Sequence, residues 1–348
     1  MIPLISVCIP AYNRASVLPA LLDSIIAQEC PHFEIVICED RSPEREKIHE
    51  TIIRYQAGHP GLIRYFENET NLGYDGNLRR LIECASGRYC LFMGNDDLMC
   101  GGTLGAVASA VERHPNVGVV LRSYAAFDES PERIVQEFRY FPQETFFPAG
   151  EDTIATVFRR SVVISGMVVH RERALEYATD RFDGSLLYQL YLVACILTTM
   201  NAIYLPDILV LYRNGGIPDF GNSEKERGRF VPKEHTPESS LHFMQSMLDI
   251  ARYVEMQHHV GIYGAILRDI GNYSYPVLAI QTDKPLPVFW SYAYRLARMG
   301  LWRSVMFYLY VVLLTVLSPS TIDRVIGVVK RRLGYTPVLG NVYRGRPV

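Results

Sequence analysis

The stretch Gly87-Arg-Tyr-Cys-Leu-Phe-Met-Gly-Asn-Asp-Asp-Leu98 constrains this chain most. Tyr89 to Met93 is an apolar, β-prone run of the length expected for a strand buried on both faces, the habit of parallel sheets. It breaks at Gly94 into Asn95-Asp96-Asp97. Two adjacent carboxylates at the end of a buried strand repel each other and are costly to desolvate, so they need a cation or a network of donors. In an open α/β sheet the carboxyl end of a strand is also where ligands bind. Oxygen ligands of this kind suit Mg²⁺ or Mn²⁺, with positions left open for a diphosphate. For the pair taken alone, a solvated turn with Asp97 capping the next helix stands beside that reading.

The neighbouring sequence repeats the strand-then-loop pattern. Leu4 to Ile9 is an apolar strand stopped by Pro10, followed by Ala11-Tyr12-Asn13-Arg14 and a helix pattern through Leu18, Leu21, Leu22, Ile25 and Ile26. Phe33 to Cys38 is a second strand ending in Glu39-Asp40-Arg41-Ser42-Pro43, where Ser42 and Pro43 suit the start of a helix reaching about Tyr55. Ile63 to Phe66 is a third, followed by Asn71-Leu-Gly73 and a helix carrying Leu78, Leu81 and Ile82. After the acidic stretch come a helix through Leu104, Val107 and Val111 and a strand at Val117 to Leu121. Strands alternating with helices of this length imply a parallel, wound α/β sheet. Pro10, Asp40 and Asp96 then fall on one rim.

Composition excludes several classes. Of 348 residues, 49% are hydrophobic and 21% charged, so the chain is globular, and a net charge of −2 provides no basic field for nucleic acid. The seven cysteines show no ligand-like pairing, and Cys8, Cys38 and Cys90 sit inside strand-like runs, as reduced core residues of a cytoplasmic protein do. The strand pattern opens at once, so no signal peptide is expected, and the sequons at Asn68 and Asn272 read as chance matches.

PLISVCIPAYNR, EIVICEDRSPE, NLGYDGNLRRLIECASGRY and LFMGNDD stand in the order and spacing of family-2 glycosyltransferases of the GT-A fold, which the chain resembles over about its first 215 residues. IYLPDILVLYR (Ile203 to Arg213) resembles the sequence closing that domain. The resemblance implies a Rossmann-like, mostly parallel wound sheet with flanking helices. Residues 1–122 would bind the nucleotide sugar and 123–215 would form the acceptor side. It also implies residue roles. Pro10, Ala11 and Tyr12 would line the nucleotide pocket, with Arg14 beside them and Tyr12 against the base. Asp40 would accept a hydrogen bond from a pyrimidine ring nitrogen; a charge at a helix N-terminus is its plainer reading. Asn71 and Gly73 would lie beneath the ribose and phosphates, with Asn77 and Arg79 as further candidates. Glu39 would contact the nucleotide or only support its loop.

At the acidic stretch the chain departs from the commoner DxDD form, with Gly94 at the first Asp position. Asn95 would serve the ribose instead, and Asp96, then Asp97, would hold Mn²⁺ or Mg²⁺ against the leaving diphosphate. The family's general base, the Asp of an ED pair, would fall near Tyr188-Gln189, and neither residue takes a proton at neutral pH. The nearest carboxylates, Asp183 and behind it Asp180, are the candidates, with an N-cap of the helix Leu186 to Thr198 as the structural reading of Asp183. Ser161 to His170 reads as a strand at the acceptor edge.

Residues 216–238, rich in Gly, Pro and charge, read as a linker or as a loop able to close over the donor. Residues 239–348 read as mainly helical. Ser304 to Leu317 is strongly apolar but too short for a confident span, and Arg324, Lys330, Arg331 and Arg332 follow it. A helix lying on the inner face of the cytoplasmic membrane and a buried core helix both fit. The resulting expectation is an inverting, metal-dependent hexosyltransferase. It would move a hexose or deoxyhexose from a nucleoside diphosphate sugar to a saccharide, or lipid-linked saccharide, in surface polysaccharide (O-antigen) synthesis. A catalytically inactive nucleotide-sugar-binding assembly subunit is the alternative. A nucleotidylyltransferase is disfavoured, because Pro10-Ala-Tyr-Asn stands where a glycine-rich basic loop would be.

Overall fold

A computed structural model describes residues 2–215, 219–336, 339 and 343–348, apart from the side chains of 330 and 331. The apolar runs of the first half form β1 (Ile5–Ala11), β2 (Phe33–Glu39), β3 (Ile63–Glu67) and β4 (Tyr89–Phe92), with α1 (Leu18–Ile26), α2 (Arg45–Gly58) and α3 (Gly73–Cys84) between them. The order β3-β2-β1-β4 is parallel throughout. β5 (Leu98–Met99) and α4 (Thr103–Arg113) follow, then β6 (Val117–Asp128), β7 (Ser130–Phe138), β8 (Thr145–Phe147), α5 (Glu151–Val157), β9 (Val168–His170), α6 (Arg171–Glu176), α7 (Tyr188–Ile196) and β10 (Asn201–Arg213). β9 enters antiparallel between β4 and β6, and β10 lies parallel to β6, so the sheet is mixed and mostly parallel.

Helices cover both faces of the sheet. Leu18, Leu22, Ile48, Ile52, Leu104 and Val107 of α1, α2 and α4 fill one side. Leu78, Leu81 and Ile82 of α3, with all of α7, fill the other. Every residue of α7 is buried, which accounts for its apolar sequence all round. The C-terminal helices α8 (Pro237–His258), α9 (Tyr263–Asn272), α10 (Tyr275–Ala279), α11 (Leu286–Arg298), α12 (Val305–Val316) and α13 (Pro319–Leu333) extend that second cluster.

Three local expectations change. Ser161 to His170 is not one strand, because a 3-10 turn occupies Phe158–Ser161 and only Val168–His170 pairs in the sheet. The cause is Arg122, fully buried on β6, whose Nε and Nη2 donate to the carbonyls of Ser165 (2.7 Å) and Val163 (2.9 Å). Ser42 does not cap α2, which starts at Arg45, although its carbonyl accepts the Arg45 N–H. In α12, Phe307, Val311 and Leu314 are buried while Val305, Tyr308, Leu309, Val312 and Val316 are exposed, so the apolar run is half core and half surface. Among the described residues no helix is long and apolar enough to cross a membrane. The side chains of Lys330 and Arg331 lie outside the described ones.

Candidate active site

The loops after β1, β2 and β4 open onto one cleft of about 270 Å³ at the carboxyl rim of the sheet. Pro10, Tyr12, Arg14, Asp40, Asn71, Gly73, Asn77, Asn95, Asp96 and Asp97 all border it. Ala11 does not; it stays buried in β1, where its carbonyl accepts the Asp40 N–H at 2.9 Å.

The first loop turns sharply because Asn13 and Arg14 both take left-handed φ values, 53° and 64°. Such a pair is strained and persists only where surrounding contacts fix it. Here Asn95 Nδ2 donates to the carbonyls of Asn13 (3.1 Å) and Tyr12 (3.4 Å), so its amide nitrogen holds this turn. The turn brings Arg14 Nη1 to 2.5 Å from Asp96 Oδ2.

Asp40 is held by its own shell. Oδ1 accepts from Asn68 Nδ2 and the Leu72 N–H, both at 2.8 Å, and Oδ2 accepts the Gly73 N–H at 2.9 Å. Burial nevertheless pushes its carboxyl up to about 6. Asn71 Oδ1 also accepts from the Gly73 N–H, at 3.0 Å. Asn77 is committed to the scaffold, donating to the Cys38 carbonyl and accepting from Asn68, each at 3.0 Å. Glu39 is fully buried, accepts the Arg41 and Ser42 N–H groups and pairs with Arg45 at 2.5 Å, so it supports the loop.

The acidic pair divides its work. Asp97 Oδ1 accepts the Arg213 N–H at 2.9 Å, and Oδ2 accepts from the Ser165 hydroxyl, which itself accepts the Gly94 N–H at 2.8 Å. Burial and the neighbouring Asp96 charge push Asp97 up to about 7. Each of its oxygens accepts one hydrogen bond, and α4 begins after Gly102 without a side-chain cap, so Asp97 braces the loop and does not cap the helix. Gly94 belongs to the same brace: an added Cβ would lie 2.8 Å from Asp97 Oδ2 and 3.1 Å from Ser165 Oγ. Among the described residues no group of three or more His, Cys, Asp or Glu side chains gathers as a metal cage. The donor set fits a cation held through Asp96 and completed by phosphate oxygens and water, an arrangement usual for Mg²⁺-type sites.

Tyr74, Val163, Ile164 and Ser165 also line the cleft without having been expected, as do Asp219, Phe220, Asn222 and Glu226 on the segment after β10. Asp219 Oδ2 accepts from Asn13 Nδ2 at 2.9 Å. Glu226 is buried and accepts the N–H groups of Tyr74 (2.7 Å) and Gly221 (2.9 Å). The Phe220 ring meets Tyr74 edge-on at 5.5 Å. Gly73, at φ 77°, lets the segment approach, because a Cβ there would fall 2.5 Å from Ser223 Oγ. Residues 219–226 therefore form a strap across the cleft, at the head of the segment that leads to α8.

The candidate bases are elsewhere. Neither Asp183 nor Asp180 borders the cleft. Asp183 makes a two-point ion pair with Arg79, at 2.7 and 2.9 Å, and its carbonyl accepts from Arg229. Nor does it cap α7. Asp75 of α3 instead gathers the turn before α7, accepting the N–H groups of Gly184, Ser185, Leu186 and Tyr188 at 2.8–2.9 Å, though burial pushes its carboxyl up to about 7. Gln189 is buried, with Nε2 on the Val162 carbonyl at 2.9 Å.

Residues 6–175 match the family model described as Glycosyl transferase family 2. Those residues belong to that family. Two relatives similar to this chain are the abequosyltransferase RfbV of Salmonella typhimurium and a PGL/p-HBAD biosynthesis glycosyltransferase of Mycobacterium bovis. The first is 32% identical over 33% of this chain and 34% of its own length. The second is 34% identical over 32% of this chain and 43% of its own. The match thus spans less than half of either relative. Among solved structures, S. aureus TarS 1–349 in complex with UDP-GlcNAc superposes with a TM-score of 0.56 at 17% identity, over 86% of this chain and 78% of that one. GalNAc-T7 with UDP, GalNAc and Mn²⁺ gives 0.54 at 12% identity, over 79% and 58%. These likenesses establish the GT-A fold of this chain.

Proposed function

We propose that the chain is an inverting, metal-dependent glycosyltransferase. It moves a hexose or deoxyhexose from a nucleoside diphosphate sugar to a saccharide acceptor, carried on a lipid, in cell-surface polysaccharide synthesis. The single observation carrying this is the convergence of Tyr12, Asp40, Asn71, Arg14 and Asp96 on one cleft at the sheet's carboxyl rim. The matched relatives named an abequosyltransferase and a PGL/p-HBAD biosynthesis glycosyltransferase support sugar transfer, and the UDP-bound fold neighbours support a pyrimidine donor.

In this reading Asp40 accepts the ring N–H of the base with Oδ2, while Tyr12 packs against the base. Asn71 and Gly73 lie under the ribose. Arg14 moves from Asp96 toward the phosphates and offsets their charge. Asp96 would hold a divalent cation, Mn²⁺ or Mg²⁺, which would supply Lewis-acid stabilisation of the departing diphosphate. Of the five carboxylates lining the cleft, Asp40 and Glu226 hold backbone N–H groups, Asp97 is the brace and Asp96 pairs with Arg14. In this reading Asp219, whose described side-chain hydrogen bond is to neutral Asn13, takes the acceptor's proton.

A donor panel with Mn²⁺, read first by thermal shift and then by nucleotide diphosphate release with saccharide acceptors, tests this. Buried Gln189 at the expected base position favours a second reading, an inactive nucleotide-sugar-binding subunit. Donor binding with no release under any acceptor would select it.

A further inference from the structure

We propose that the exposed faces of α12 and α13, with Trp302 ahead of them, dock this protein on an anionic lipid surface. On α12, Val305, Tyr308, Leu309, Val312 and Val316 recur at helical spacing and form one stripe, with Val305 at 82% and Val316 at 76% exposure. The opposite stripe, Phe307, Val311 and Leu314, holds the helix to the core. On α13 the same division recurs: Ile322 is buried, and Val325, Val328, Val329 and Leu333 are exposed. Two consecutive helices thus carry apolar faces that no described residue covers.

Charge identifies the occupant. Residues 285–348 contain nine Lys and Arg against one acid, Asp323, a net +8, while residues 1–284 carry −10 within the chain's total of −2. Even Asp323 is engaged, accepting from the Tyr275 hydroxyl at 2.7 Å. Arg303, Arg324 and Arg332 are exposed at or beside the stripes, and the Arg303 guanidinium lies 5.3 Å from the ring centroid of half-exposed Trp302. A basic rim, a tryptophan and an apolar stripe are the combination that seats a helix among anionic headgroups. A second copy of the chain fits poorly, since a two-fold contact would set this cationic segment against itself. At 12 residues α12 is about 18 Å long, too short to span a bilayer, so it lies in the interface.

Docking is tested with the full chain and does not rest on the transferase reading, because the readout is binding. The protein is sedimented with vesicles of phosphatidylglycerol in phosphatidylcholine, and with phosphatidylcholine alone. Trp290 and Trp302, the chain's only tryptophans, report burial by a blue-shifted emission. The expected result is sedimentation with anionic vesicles, weakened by salt, with a blue shift. Leu309→Glu/Val312→Glu reduces binding about tenfold or more at unchanged melting temperature, and Arg324→Glu/Arg332→Glu removes the preference for the anionic lipid. If the first pair lowers the melting temperature, Trp302→Ser replaces it. Wild-type protein left in the supernatant, or variants that sediment as wild type does, overturns the proposal. So does velocity sedimentation that shows a dimer dissolved by Leu309→Glu/Val312→Glu with no vesicle binding, which assigns the face to a second copy.

Discussion

Asp40 and Glu226 take the hydrogens of two successive backbone amides, Gly73 at 2.9 Å and Tyr74 at 2.7 Å. The residue proposed to read the base and the clasp of the strap are therefore anchored on the same turn, the start of α3. Movement of that turn on donor binding must reach the strap, and release of the strap must reach Asp40.

Glu226→Ala removes the acceptor of two buried N–H groups, a loss of about 1.5–3 kcal/mol per hydrogen bond to a charged group. The expected outcome is faster amide exchange across 219–226 and nucleotide affinity lowered tenfold or more. Unchanged exchange would show that the strap is held by other contacts.

Asp96→Ala is expected to abolish the metal-dependent part of turnover, about 10²-fold or more, as loss of one leaving-group stabiliser does. Titrating nucleoside diphosphate with and without Mn²⁺ checks it: the variant binds equally in both, and the wild type binds more tightly with the ion.

Asp183→Asn and Asp219→Asn separate scaffold from chemistry. Breaking the Arg79 pair is expected to cost about 3 kcal/mol of stability, read as a lower melting temperature, with turnover per folded enzyme retained. Asp219→Asn, which can still accept from Asn13, is expected to lower kcat about 10²-fold or more with donor affinity unchanged. The reverse pattern would return the base to the Arg79 side.

Because burial raises Asp40 to about 6, its carboxylate is ionised above that pH and accepts a ring N–H there. Donor affinity is expected to fall as pH drops through about 6, and Asp40→Asn to flatten the profile. Its effect on stability has the opposite sign. The folded state binds this proton more readily than the unfolded chain, so Asp40 favours folding as pH falls from about 6 toward 3.8. Calorimetric titration across that window measures the first effect, and thermal unfolding without ligand measures the second.

Strands buried on both faces announce themselves as continuous apolar runs, which is why β1, β2 and β4 and the loops at their ends were legible. Asp40 and Asp96 followed from position alone. What escaped depends on contacts distant in sequence. Glu226 meets Tyr74 across 152 residues, and Asp219 meets Asn13 across 206, so nothing in their local sequence distinguishes them from linker charge. The Arg79 partner of Asp183 lies 104 residues away and was equally invisible in the local sequence. Ser161 to His170 looked like a strand because Arg122, which claims two of its carbonyls, sits just beyond the Val117 to Leu121 run.

The absent side chain at Gly94 works as a keyway for the Asp97–Ser165 contact. Writing an aspartate back at 94, to restore the commoner acidic motif, would jam that contact before it gained any hold on a sugar. Any side chain at 94 must therefore first displace the Asp97 carboxylate and its Ser165 partner.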